Sequence, residues 1–165
     1  MQPRKRYRTR ILPDFSPSGL LELESNNKEG ILLKHAEPRD ASSPNTFYSR
    51  LPMDQRPLFK LILYKGSVLV REFDLMNKSS YVIGRSLGET IIADIPIKEE
   101  TCSKQHCVIQ FRAGQDLKAF LMDLESANGT TLNGDEIPPS HYVELRKGDV
   151  ISSHDSQYDL VFVNS

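Results

Sequence analysis

Cys107-Val108-Ile109-Gln110-Phe111-Arg112-Ala113-Gly114-Gln115-Asp116-Leu117-Lys118-Ala119-Phe120-Leu121-Met122-Asp123-Leu124 is the stretch whose reading decides the fold. Its first six residues alternate, with Cys107, Ile109 and Phe111 on one face, as in a strand with one face in a core. Ala113 to Asp116 break the pattern with turn residues, and residues 118–124 resume it as a second strand. The same grammar extends in both directions. Upstream, Leu58-Phe59-Lys60-Leu61-Ile62-Leu63-Tyr64 and Val68-Leu69-Val70-Arg71-Glu72-Phe73 flank Lys65-Gly66 and read as a hairpin, followed by a strand at Ser80-Tyr81-Val82-Ile83. Downstream, Asn133-Gly134 is a type I′ turn signal. Strands at residues 142–145 and 157–163 flank a turn at Lys147-Gly148-Asp149. No segment of 57–165 carries a helical stripe. Many short strands with regular turns predict an all-β fold, a two-sheet β-sandwich over residues 57–165.

Residues 1–56 differ in kind. Six prolines and the polar run Asp40-Ala41-Ser42-Ser43-Pro44-Asn45 punctuate them without sustained periodicity, so they read as a largely disordered N-terminal arm. The net charge of −1 over 165 residues hides an asymmetry: ten Lys/Arg against seven Asp/Glu in 1–56, and eleven against fifteen in 57–165. A mildly acidic domain argues against a nucleic-acid-binding face of its own. The opening Arg4-Lys5-Arg6-Tyr7-Arg8-Thr9-Arg10 fits a nuclear-import or RNA-contacting segment, or a solvated tail. Phe15, Leu20, Leu21 and Leu23, in the island at 11–24, are too few for a core but suit anchoring in a partner's groove. The alternatives are a chance apolar cluster and a strap packed on the domain. There is no signal-peptide pattern and no apolar run of membrane length, so the expectation is a soluble intracellular protein with no membrane partner.

The chemistry lies in three short motifs where strands meet turns: Ile83-Gly84-Arg85, Cys102-Ser103-Lys104-Gln105-His106, and Ser126-Ala127-Asn128-Gly129-Thr130. They supply a guanidinium, a hydroxyl and an amide, with no nucleophile–base pair. The arginine fork suits a phosphate, the hydroxyl adds one directed donor, and the amide can grip a peptide backbone. The ordered triple on an all-strand background resembles the forkhead-associated (FHA) domain, a module that binds phosphothreonine peptides. The resemblance covers residues 57–165. It implies that Arg85 and Ser103 hold the phosphate, that Lys104 adds a second contact, and that Asn128 holds the peptide backbone. It further implies that His106 braces the loops and that Gly84 and Gly129 support the site. Two positions depart from the family. Ala127 lacks the hydroxyl or amide often found before the asparagine. After Gly148-Asp149-Val150-Ile151 the chain reads Ser152-Ser153-His154-Asp155 where the family has a glycine, so the last turn is expected to be built differently.

Other chemistries fare worse. Cys102, His106 and Cys107 fall short of the four ligands of a zinc site, and Cys107 alternates into a core strand as a small apolar residue. Adjacent strand residues point to opposite faces, which disfavours a Cys–His nucleophilic pair. Asp123 and Glu125 read as holders of loop geometry or as solvated carboxylates. No phosphate-binding loop or dinucleotide fingerprint occurs, so neither a catalytic function nor a metal or cofactor is expected.

The runs at 102–110, 122–126 and 142–145, with the island at 13–21, also look like one subgroup, the FHA subunit of the pre-mRNA retention and splicing (RES) complex, related to nuclear Smad-interacting proteins. That resemblance implies a nuclear, spliceosome-associated subunit that docks on an RNA-recognition-motif partner, with pre-mRNA contacted indirectly or weakly through Arg4 to Arg10. Two alternatives belong to other classes: a phosphothreonine-dependent signalling adaptor in DNA-damage or kinase pathways, and RNA binding through the basic arm.

Overall fold

The computed structural model describes residues 27–28, 31–87 and 92–165. Short strands β1 (Asn27–Lys28) and β2 (Ile31–Leu32) precede a one-turn helix α1 (Pro44–Phe47) and a 3-10 turn (Met53–Gln55). The strands β3 (Phe59–Lys65), β4 (Val68–Asp74), β5 (Ser80–Arg85), β6 (Ile95–Ile97), β7 (Cys107–Ala113) and β8 (Leu117–Asp123) follow. The chain closes with β9 (Thr131–Leu132), β10 (Asp135–Glu136), β11 (Val143–Leu145), β12 (Val150–Ser152) and β13 (Tyr158–Asn164). Two sheets face each other, one ordered β10-β9-β12-β13-β3-β4 and the other β11-β8-β7-β5-β6. This is the all-β sandwich that the alternating pattern predicts.

The inward faces meet in one core. Leu61, Ile109, Phe111, Leu121 and Val143 are fully buried, and the rings of Phe59 and Phe111 meet edge to face at 5.2 Å. The predicted hairpins form. Asn133 (φ 54°) and Gly134 (φ 87°) both take the left-handed conformation that a type I′ turn demands. In the β3–β4 pair, Leu63 lies opposite Arg71 and Tyr64 opposite Leu69, so Val70 is an extra residue bulged on the edge strand. The turn before β13 is built without glycine, as expected, with Asp155 at φ 63°. Strand β6 was not anticipated, because Pro96 interrupts it. Ile95 and Ile97 are nevertheless buried, and β6 pairs parallel with β5.

The larger departure concerns the domain boundary. The sequence places everything before residue 57 in the arm, yet residues 33–48 pack on the sandwich, and residues 49–55 are exposed. The reason is the outer face of β7 and β8. Val108, Phe120, Met122, Leu124 and Tyr142 form a second apolar cluster there, and residues 33–43 run beside it as a strap. Where β5 stops at Ser80, opposite Gln110, the strap takes over its place beside β7. Ala41 bridges Arg112, the Ala113 N–H donates to the Asp40 carbonyl at 2.7 Å, and the Arg112 guanidinium pairs with the Asp40 carboxylate at 2.8 Å. His35 is buried and its Nε2 meets Gln110 Oε1 at 2.8 Å, while the Lys34 N–H donates to Gln105 Oε1 at 2.7 Å. Burial lowers the His35 pKa below its ordinary value, opposed by the Gln110 bond and the nearby Glu37. The strap then enters α1, whose first turn Ser43 caps by accepting the Thr46 N–H and Pro44 starts without a wasted donor. Phe47 and Tyr48 pack against the core beyond it. No helix among the described residues is long and apolar enough to cross a membrane.

Candidate functional site

The motif residues gather at one end of the sandwich. Strand β5 delivers Arg85, and Gly84 before it has no room for a side chain, because an added Cβ would sit 1.9 Å from the Lys104 carbonyl oxygen. The glycine therefore lets the 103–106 loop lie directly on β5. Two backbone bonds stitch that loop down: Arg85 N–H to the Ser103 carbonyl and His106 N–H to the Ile83 carbonyl, both 2.9 Å. The Arg85 guanidinium reaches the Glu100 carbonyl at 3.5 Å, so its fork lies beside the same loop.

His106 joins this loop to the Asn-Gly turn. Its Nδ1 accepts the Ser103 backbone N–H at 3.0 Å, which leaves the ring proton on Nε2 to donate to the Gly129 carbonyl at 2.8 Å. The second link is Ser103 itself, whose Oγ accepts the Ala127 N–H at 3.0 Å. The third is Asn128, whose Nδ2 donates to the Thr101 carbonyl at 2.7 Å. Ala127, which lacks the usual polar side chain, thus contributes through its backbone. Below the turn, the buried Asp123 carboxylate accepts the Thr130 hydroxyl at 2.7 Å and the Ser126 N–H at 3.2 Å. Asp123 is committed to loop geometry, as the sequence suggested. Gly129 takes φ 77°, a conformation that favours glycine.

The structure thus brings Gly84, Arg85, Ser103, Lys104, His106, Asn128 and Gly129 together. Phe15, Leu20, Leu21, Leu23 and Arg4 to Arg10 lie outside the described residues. Sequence reasoning missed two braces. Glu99 accepts from the Ser156 hydroxyl at 2.6 Å and the Gln157 N–H at 2.9 Å, tying the loop before Ser103 to the β12–β13 turn. Glu136 on β10 meets His154 Nε2 at 3.1 Å beside the Gly129 turn. Neither carries a local signal, since the partners lie far apart in sequence.

The chemistry on offer is anion binding. The Arg85 guanidinium lies beside the loop that carries Ser103 and Lys104, and the Ser103 hydroxyl oxygen already accepts a bond, so its proton is directed elsewhere. Both ring nitrogens of His106 are engaged by backbone groups, and Nδ1 faces the Ser103 amide rather than its hydroxyl, so no base addresses Ser103. Burial pushes the Cys102 thiol up to about 12, with Glu99 adding to it, and burial raises Cys107 as well. Both cysteines are unpaired thiols, and no group of three or more metal-ligating side chains gathers among the described residues.

The FHA domain family matches residues 81–152. Pre-mRNA leakage protein 1 of Saccharomyces cerevisiae is 48% identical over 176 residues, covering 93% of this chain and 86% of its own. Smad nuclear-interacting protein 1 of Mus musculus is 32% identical over 162 residues, covering 92% of this chain and 39% of its own. A solved structure described as the yeast Pml1 splicing factor and its integration into the RES complex superposes with a TM-score of 0.76 at 44% identity, covering 81% of this chain and 98% of that one. The chain belongs to the forkhead-associated domain proteins, in the family of the yeast pre-mRNA leakage protein 1.

Proposed function

We propose that this protein is a non-catalytic, phosphothreonine-reading subunit of a nuclear pre-mRNA splicing and retention complex. The observation that carries the phosphate reading is the placement of Ser103. Its hydroxyl oxygen accepts the Ala127 N–H, its carbonyl accepts the Arg85 N–H, and its own N–H is taken by His106. Every other polar group of the residue is spoken for, which leaves its hydroxyl proton for a ligand, on a loop stitched to Arg85 and continued by Lys104. In this reading Arg85, Ser103 and Lys104 hold the phosphate and Asn128 exchanges its Thr101 partner for the peptide backbone. The kinship with pre-mRNA leakage protein 1 and with a Pml1 structure described in terms of the RES complex supports the splicing role and the nuclear location. In the same reading, Phe15, Leu20, Leu21 and Leu23 anchor the arm on an RNA-recognition-motif subunit, and Arg4 to Arg10 steer that encounter.

The test is fluorescence anisotropy of the full chain with a phosphothreonine peptide library and its unphosphorylated counterpart. Arg85→Ala should weaken phosphopeptide binding by about 1.5–3 kcal/mol, the size of a charge-assisted contact. Equal affinity for phosphorylated and unphosphorylated peptides rules the phosphate role out. For the arm, calorimetry of a peptide of residues 1–24 against the RNA-recognition-motif subunit should show binding that Phe15→Ala and Leu20→Ala weaken.

A further inference from the structure

We propose that Glu136, held against the Asn128–Gly129 turn by His154, is a specificity residue that directs the site toward phosphothreonines flanked by lysine or arginine. The inference rests on the phosphate reading above and names the class of peptide that the site takes. The β9–β10 hairpin pairs Glu136 with Thr131, and the Ile137 N–H closes on the Thr130 carbonyl at 3.0 Å. Glu136 is thereby fixed in register with the last residues of the Asn-Gly-Thr motif. Its side chain folds back over the turn: a methyl group added at Gly129 would lie 2.5 Å from Glu136 Oε1. The same oxygen meets His154 Nε2 at 3.1 Å, from the β12–β13 turn across the gap. Two elements from the six-stranded sheet therefore place a carboxylate next to the residue after Asn128.

The direction of the field follows from the layout. The loop that carries Ser103 and Lys104 meets the turn at Ala127 and Asn128, and Glu136 meets it one residue further on, at Gly129. A peptide with its phosphate on the first side and its backbone across Asn128 carries a neighbouring residue toward Glu136. A lysine or arginine there meets a carboxylate, and an aspartate or glutamate meets like charge. Glu136 is 57% exposed in its side chain, so a ligand can reach it without moving the core. Gly129 serves this arrangement as well as its own φ, since any side chain would displace the carboxylate.

The experiment uses the full chain and phosphothreonine peptides of one length, carrying lysine, alanine or glutamate at each position around the phosphothreonine. At low salt the wild type should prefer the best lysine-bearing peptide over its glutamate counterpart by about three- to fivefold, the scale of one exposed ion pair. The preference should shrink in high salt. Glu136→Gln should abolish that preference, read as the ratio of lysine- to glutamate-flanked affinities within the variant, and Glu136→Lys should reverse it. Thermal denaturation of each variant checks that it folds. Phosphate-dependent binding that ignores flanking charge, or a preference that survives in Glu136→Gln, overturns this proposal alone. Absence of any phosphate-dependent binding in the wild type overturns the phosphate reading and this proposal with it.

Discussion

His106 donates from Nε2 to the Gly129 carbonyl at 2.8 Å, joining two loops that lie 23 residues apart in sequence. With its other nitrogen on the Ser103 N–H, this buried ring fixes the spacing between the serine and the asparagine of the site. His106→Ala leaves an amide and a carbonyl without partners and should cost about 2–4 kcal/mol in urea denaturation. Phosphopeptide affinity should fall in the same variant although the ring touches no ligand.

Gly84→Ala should be worse for the site than its small volume suggests. The added methyl overlaps the Lys104 carbonyl oxygen, a backbone atom that cannot swing away as a side chain would. Relief requires lifting the Ser103 loop off β5, at a cost of about 1–3 kcal/mol. Hydrogen exchange should show faster exchange at the Arg85 and His106 amides, and unchanged rates there rule the argument out.

Stability should depend on pH through His35. Burial lowers its pKa in the folded state, so the unfolded chain binds the proton more readily. The stabilising contribution is complete above the unfolded value of about 6.5 and is lost as pH falls from there through the folded value. Glu37, Gln110 and Tyr142 surround the ring, and only Glu37 opposes the shift by its charge. Denaturation at pH 7.5 and 5.5 should show a drop for the wild type that is smaller in His35→Gln.

Cys102 and Cys107 should resist alkylation in the native protein at pH 8 and react once it is unfolded, because burial keeps both thiols protonated. Rapid modification of the native chain, followed by mass spectrometry, would contradict this.

The strap makes truncation informative. A chain beginning at residue 33 should keep its stability. One beginning at residue 57 loses Phe47, Tyr48 and the cover over Val108, Phe120 and Tyr142, and should fall by at least about 3 kcal/mol. A binding assay that uses residues 57–165 as an isolated domain therefore confounds arm loss with loss of folding.

The strands were legible because their periodicity is local. Cys107, Ile109 and Phe111 announce one face of β7, and Asn133-Gly134 announces its hairpin. The motif residues were legible for a similar reason, since each sits at the end of a readable strand. The strap was not legible. It holds on through backbone bonds, the Asp40–Arg112 pair and one buried histidine, none of which imposes a period on the sequence. The burial of Val108 and Gln110, the second face of β7, was the available sign: Val108 is apolar where a solvated face would call for a polar residue. The Glu99 and Glu136 braces were invisible, since a carboxylate on a β-rich domain looks like solubility until its distant partner is known.

The Lys34–Gln105 bond gives the arm a fixed point of departure two residues from Ser103. Lys34 lies ten residues after Glu24, and a chain of that length reaches no more than roughly 36 Å. Anything gripped by the segment at 11–24 is thus leashed to the mouth of the proposed phosphate site. A threonine carried on that same body is presented there at a high local concentration, and an affinity too weak to matter between strangers suffices between two parts already tied together.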